Sequence, residues 1–158
     1  SYGIELFLNS VIKIIVYMLI GILIGRMKEV LFSLLIWCSV RKQSGGRHAQ
    51  NDSICFLISG FSIFFPVIIS SYIKIIKLQI IINILVINVM YLIYAPYDEY
   101  YMGKRREAFK AKCKTILLIN IIFILGIYLK RNYLYITIVI LYEQGILILH
   151  KIKNILEI

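Results

Sequence analysis

Six runs of apolar residues, parted by short polar stretches, leave this chain few ways to fold: Ile4–Ile24, Val30–Val40, Ile54–Ile73, Leu78–Tyr94, Thr115–Leu129 and Tyr133–Leu149. A bilayer core about 30 Å thick takes roughly 20 apolar residues of helix, with about 17 at the short end. The first, third, fourth and sixth runs meet that length unaided. The fifth, 15 residues long, draws on its flanks. The second has 11 residues and would rise only about 16 Å as a helix; either it is lengthened through Met27 to Arg41 or it is re-entrant and dips in without crossing. Transmembrane strands are rejected, because a barrel shows short alternating segments and these runs are continuous. With 61% hydrophobic residues and a mean hydropathy of +0.87, the chain has more apolar surface than a soluble domain of 158 residues needs for its core. The expectation is an all-α, polytopic transmembrane bundle of five to six helices, forming a single domain over residues 1–158.

The net charge of +10 would suggest nucleic acid on a soluble domain. Here the cations gather between apolar runs, so the positive-inside bias accounts for them and no nucleic-acid partner is expected. The densest group is Lys104, Arg105, Arg106, Lys110, Lys112 and Lys114, placed in the cytoplasm. If all six runs cross, eleven of the 18 cations fall on that side and six on the other, Lys13 lying within the first run. A re-entrant second run makes the contrast 13 to 4. Either way the stretch between the second and third runs faces the cytoplasm, and the protein is a multi-pass protein of the cell membrane. Three cysteines, an odd number, in a lipid run (Cys38), at a loop edge (Cys55) and in the basic stretch (Cys113) form neither a disulfide framework nor a paired metal-ligand pattern.

That stretch carries the chemistry. It reads Arg41-Lys42-Gln43-Ser44-Gly45-Gly46-Arg47-His48-Ala49-Gln50-Asn51-Asp52-Ser53-Ile54-Cys55. Gly45 and Gly46 permit positive φ and close backbone approach to a ligand. Asn51, Asp52 and Ser53 are the types that cap helix N-termini, which puts Cys55 in the first turn of the third helix. There the unpaired N–H groups favour thiolate over thiol and stand ready to donate to an oxyanion. Unbroken helix would hold His48 and Cys55 about 10.5 Å apart along the axis, too far for proton transfer at roughly 3 Å. The segment therefore bends between them, with His48 as base and Cys55 as nucleophile. Gln43, Asn51 and Asp52 are equal candidates for a third member that orients the imidazole.

Arg41, Gly46, His48, Ala49 and Cys55, at this spacing between apolar segments, resemble the accessory gene regulator B family of Gram-positive bacteria. Tyr94-Ala95-Pro96, which closes an apolar helix and leads into a Lys/Arg-rich loop, agrees with that family's order. The resemblance implies a membrane endopeptidase that turns a short precursor peptide into a cyclic autoinducing peptide for quorum sensing. It implies that Cys55 forms a thioester with the precursor, that an internal cysteine or serine of the precursor closes a thiolactone or lactone, and that no cofactor or metal takes part. It further implies an acidic precursor segment docking on Lys104, Arg105 and Arg106, and a homodimer. Family members usually carry an amphipathic segment ahead of Tyr2, so such a segment is expected to be missing here. The Lys-Pro element common after Ala95-Pro96 is replaced by Tyr97-Asp98-Glu99-Tyr100-Tyr101-Met102-Gly103.

Membrane lipids are the other expected partner of the basic stretch, through anionic head groups. Within the runs, Lys13, Glu143 and Gln144 are costly unless paired or facing a polar cavity, and a Lys13 to Glu143 contact between the first and sixth helices would offset two of them. Asn83, Asn88 and Asn120 are expected to form interhelical hydrogen bonds. A competing reading is a non-catalytic small membrane protein, a transporter subunit or lipid-binding scaffold. Against it stands the concentration of Gly, His, Asn, Asp and Cys in one loop, and the lack of broken mid-membrane helices beyond Pro66. A prenyl-protein-type intramembrane protease would need carboxylates and histidines grouped on helices, and Glu143 has no such company.

Overall fold

The computed structural model describes residues 2–44, 52–95 and 103–156, and every regular element among them is a helix. In chain order they are α1 (Tyr2–Leu23), α2 (Met27–Ser44), α3 (Asp52–Ile69), α4 (Lys77–Tyr94), α5 (Arg105–Tyr128) and α6 (Arg131–Leu156). Among the described residues four segments are long and apolar enough to cross a membrane: Gly3–Leu23, Lys77–Tyr94, Arg105–Tyr128 and Arg131–His150. The all-helical, multi-pass bundle expected from the apolar runs is the observed one.

The ends of these helices follow local chemistry. At the α1–α2 corner Gly25 has φ 76°, the left-handed conformation that glycine adopts without a Cβ penalty. The N–H of Arg26 donates to the Gly21 carbonyl at 3.0 Å. Arg26 then clamps the corner, donating from Nη1 to the Val67 carbonyl at 2.8 Å and pairing with Glu29 at 3.5 Å. Gly21 allows the hairpin to close, since a Cβ there would meet Val30 at 3.2 Å. α4 ends at buried Ala95, whose N–H caps the Tyr91 carbonyl at 3.0 Å, and Pro96 follows, where a preceding helix ordinarily stops.

One of the length expectations is met and one changes. The second run takes the lengthened form, an unbroken helix of 18 residues from Met27, about 27 Å long. It reaches this length by recruiting Met27-Lys28-Glu29 and Arg41–Ser44, and it tolerates those polar ends because α1, α3, α5 and α6 all pack on it. Enclosed among helices, it needs less lipid-facing apolar surface than its neighbours do. The third run is shorter than expected: α3 stops at Ile69, where Ser70, Ser71 and Tyr72 turn back onto Pro66, Ile68 and Ile69, and its wholly apolar portion, Ser53–Ile69, falls below the length of the four spans.

α6 is the axis of the bundle, with α2, α3, α4 and α5 arrayed around it. Ile136, Thr137, Ile140 and Leu141 are fully buried at its centre, alongside Val40, Ile63, Ile87 and Ile119 from the surrounding helices. Gly126 lets α5 approach closely, because a Cβ would meet the Leu134 backbone at 3.3 Å. The outer faces of α1, α4 and α5 expose Ile, Leu, Val and Phe, as lipid contact requires.

Several polar side chains inside the bundle find partners on neighbouring helices. Asn88 and Asn120 bond each other across α4 and α5, and Asn83 accepts from the Tyr142 hydroxyl at 2.7 Å, so all three asparagines work as interhelical partners. Lys13 and Glu143, by contrast, do not pair: neither carboxylate oxygen of Glu143 has a hydrogen-bond partner. α1 packs on α2 and, through Tyr17, on α3.

Candidate active site

Cys55 is the fourth residue of α3, in the first turn as the capping pattern predicted. Here backbone N–H groups lack intrahelical acceptors and a developing negative charge is favoured. The thiol is half-buried and unbridged. The next residue is held in place: the Tyr17 hydroxyl of α1 donates to the Phe56 carbonyl at 2.8 Å, and the two rings stack with centroids 5.2 Å apart. Gly60, one turn on, makes room for Tyr17, since a Cβ there would meet its ring at 3.3 Å.

Arg41 stands at the corresponding end of α2. Its guanidinium lies over the Trp37 ring, 4.6 Å from the centroid, a cation–π contact that keeps the charge beside the bundle. Depth along the axes can be read from cross-helix contacts. Ser33 donates to the Ile63 carbonyl at 2.8 Å; Arg41 is eight residues beyond Ser33 and Cys55 eight before Ile63, each displaced by about 12 Å toward the same end. Arg41 and Cys55 therefore share a level. Gln43 is tied to α5 at that end, where the Thr115 hydroxyl contacts its carbonyl at 3.4 Å.

Gly45, Gly46, His48 and Asn51 lie outside the described residues, as does the side chain of Asp52. Of the basic group, Lys104 precedes α5 and pairs with Glu107 at 4.0 Å. Arg105 and Arg106 open the helix and are exposed. Thr115, near the start of α5, meets the Gln43 carbonyl near the end of α2, the Asn88–Asn120 pair sets the end of α4 beside the start of α5, and the Ser33–Ile63 contact puts the start of α3 level with the end of α2, so all four helix ends lie at one end of the bundle. The helix ends flanking the His48 segment and the basic group are thus brought to one side.

Tyr17 is a residue that sequence reasoning passed over. Its only signal was a phenolic side chain inside an apolar run, a type that finds a polar partner for its tip when buried. Trp37 carries a weaker signal of the same kind as the sole tryptophan; its Nε1 is buried without a partner.

Such a bundle, with four helices long and apolar enough to span a bilayer, is that of a polytopic membrane protein. The family model described as Accessory gene regulator B matches residues 1–149, and the chain belongs to that family. Membership gives it a role in the accessory gene regulator system, in which the family processes a propeptide. Among curated proteins and among solved structures nothing matches the chain.

Proposed function

We propose that this protein is a membrane-embedded cysteine endopeptidase that cleaves a precursor peptide and lets it cyclise to a thiolactone or lactone signal for quorum sensing. The observation that carries the reading is the position of Cys55: half-buried, in the first turn of α3, level with Arg41, and seven residues after His48 in a family that processes propeptides.

The chemistry balances without a cofactor. His48 takes the thiol proton, and the Cys55 Sγ adds to a precursor carbonyl carbon. Unpaired N–H groups of the first turn of α3 donate to the oxyanion. The C–N bond then breaks, the departing amine takes the proton from His48, and a thioester remains on Cys55. A thiol or hydroxyl within the retained peptide attacks that thioester, closing the ring and returning the Cys55 thiolate, which recovers a proton. Exchange between thioesters costs little, whereas hydrolysis would discard the intermediate, and an apolar surround that limits water favours the ring. Lys104, Arg105 and Arg106 offer an acidic precursor segment a docking surface by charge. The active site faces the cytoplasm by the positive-inside bias, anionic lipids border the basic helix start, and the working form is a homodimer.

The test is mass spectrometry of the purified protein in lipid, incubated with the precursor peptide encoded beside its gene, against Cys55→Ala and His48→Ala. The expected result is cleaved precursor plus a hydroxylamine-labile adduct on the wild type alone. Cleavage that survives in Cys55→Ala sinks the proposal.

A further inference from the structure

The steps just described leave the buried Glu143 unused. Both carboxylate oxygens of Glu143 are closed off from the surface, and neither has a hydrogen-bond partner. A carboxylate kept inside a membrane helix at such cost ordinarily has a task. Its orientation follows from the contacts of its neighbours on α6. Leu141, Tyr142 and Gly145 meet α4 through Tyr91, Asn83 and Met90. Leu134 and Thr137 meet Gly126 of α5, and Tyr133 meets Phe32 of α2 with ring centroids 4.9 Å apart. At about 100° per residue, Glu143 points away from the α4 and α5 contacts and to one side of the α2 contact, which leaves its side to α3, the other helix packed on α6.

α3 turns a matching side toward it. Phe56, Gly60 and Phe64 face Tyr17 of α1, so the stripe of Ser59, Ser62 and Pro66 turns to the side left for α6, with Cys55 at its end and within electrostatic reach of Tyr17 as well. Ser59 and Ser62 are each 5% exposed. Depth agrees as well: Phe32 and Ser33 tie Tyr133 and Ile63 to one level, and nine residues on from Tyr133, Tyr142 comes level with Arg41 and Cys55. Glu143, the next residue, thus sits on the face of α6 that looks at the Cys55 stripe, at the depth of the thiol.

We propose that Glu143 is a substrate-anchoring residue whose carboxylate accepts successive backbone N–H groups of a turn in the precursor, beside the bond that Cys55 attacks. This rests on the endopeptidase reading. Successive N–H groups converge in a turn into a concavity that binds an anion, whereas an extended strand points them to alternate sides. A peptide about to close a ring must bend, so an acceptor that binds only the bent form selects the conformer that cyclises. The carboxylate stays unsatisfied in the empty protein because its partners arrive with the substrate.

The experiment uses the full chain in lipid nanodiscs, with Cys55→Ala throughout so that the precursor stays uncut. Binding of the fluorescently labelled precursor encoded beside its gene is followed by anisotropy. Adding Glu143→Ala is expected to weaken binding tenfold or more, and Glu143→Gln, which keeps the shape and one acceptor, by less. Both substitutions are expected to raise the thermal midpoint of the empty protein, since an unsatisfied buried carboxylate is removed; a purely structural Glu143 would lower it. Binding within twofold of the parent in Glu143→Ala overturns the proposal. So does an equal loss in Gln and Ala that high salt abolishes, which would point to a cationic side chain as the partner. If the Cys55→Ala parent cuts the peptide, the endopeptidase reading fails, and product analysis of the same samples reveals it separately from the binding comparison.

Discussion

Asn88 of α4 and Asn120 of α5 exchange hydrogen bonds in both directions, at 3.3 Å and 3.0 Å, while each also donates to its own helix, to the Ile84 and Ile116 carbonyls. The pair is a two-way staple between neighbouring helices. Replacing Asn88 with Leu removes one half and strands the other. The expected loss is about 1 kcal/mol, within the range for polar interhelical contacts in membranes, read as a lower unfolding midpoint in detergent. Replacing both residues with Leu is expected to cost less than twice as much, because no unpaired amide is left behind.

Tyr17 anchors the turn that carries the thiol. Tyr17→Phe retains the stacking on Phe56 and deletes the 2.8 Å hydrogen bond. We expect the alkylation rate of Cys55 by N-ethylmaleimide to change severalfold, at a stability cost of about 1 kcal/mol. Alkylation at the wild-type rate would show that the turn holds without α1.

Gly145 and Met90 meet at the α4–α6 contact, where a Cβ on residue 145 would run into the Met90 thioether. Gly145→Ala is expected to destabilise by about 1–2 kcal/mol, the usual cost of overpacking, and Met90→Ala in the same chain is expected to restore part of that loss. A double-mutant cycle on the unfolding midpoint measures the coupling.

The Lys104–Glu107 pair, at 4.0 Å with both side chains about half exposed, contributes little to folding. Glu107→Gln is expected to shift stability by less than about 0.5 kcal/mol. Reversing charge at Lys104, Arg105 and Arg106 is expected to weaken precursor binding at least fivefold at low salt and hardly at all at high salt. Equal affinity at low salt would remove these residues from substrate docking.

Apolar run length made the helices legible before any coordinates, because a bilayer demands long uninterrupted runs and the backbone satisfies itself only within them. The asparagines were legible for a related reason: an amide inside an apolar helix has few ways to be satisfied other than a neighbouring helix. Which of its two expected forms α2 takes was not, because whether Met27-Lys28-Glu29 and Arg41–Ser44 continue a helix depends on four enclosing neighbours, a tertiary fact. The early stop of α3 at Ser70 escaped for the opposite reason, a local turn outweighing an apolar run that continues to Ile73. At the site, the capping residues located Cys55 correctly in a first turn. The Glu143 face stayed hidden, since one carboxylate in a run suggested a pairing with Lys13 and the side it turns to depends on how four helices surround α6.

That arrangement around α6 bears on how the protein is made. The last of the six helices to leave the ribosome is the one the others wrap, so α2, α3, α4 and α5 enter the bilayer before their shared partner exists. Until it arrives, the stripe of Cys55, Ser59 and Ser62 has nothing to cover it. Completion of the bundle around the thiol is thereby tied to the synthesis of α6, and a nascent chain halted before Arg131 lacks the helix on which α2, α3, α4 and α5 all pack.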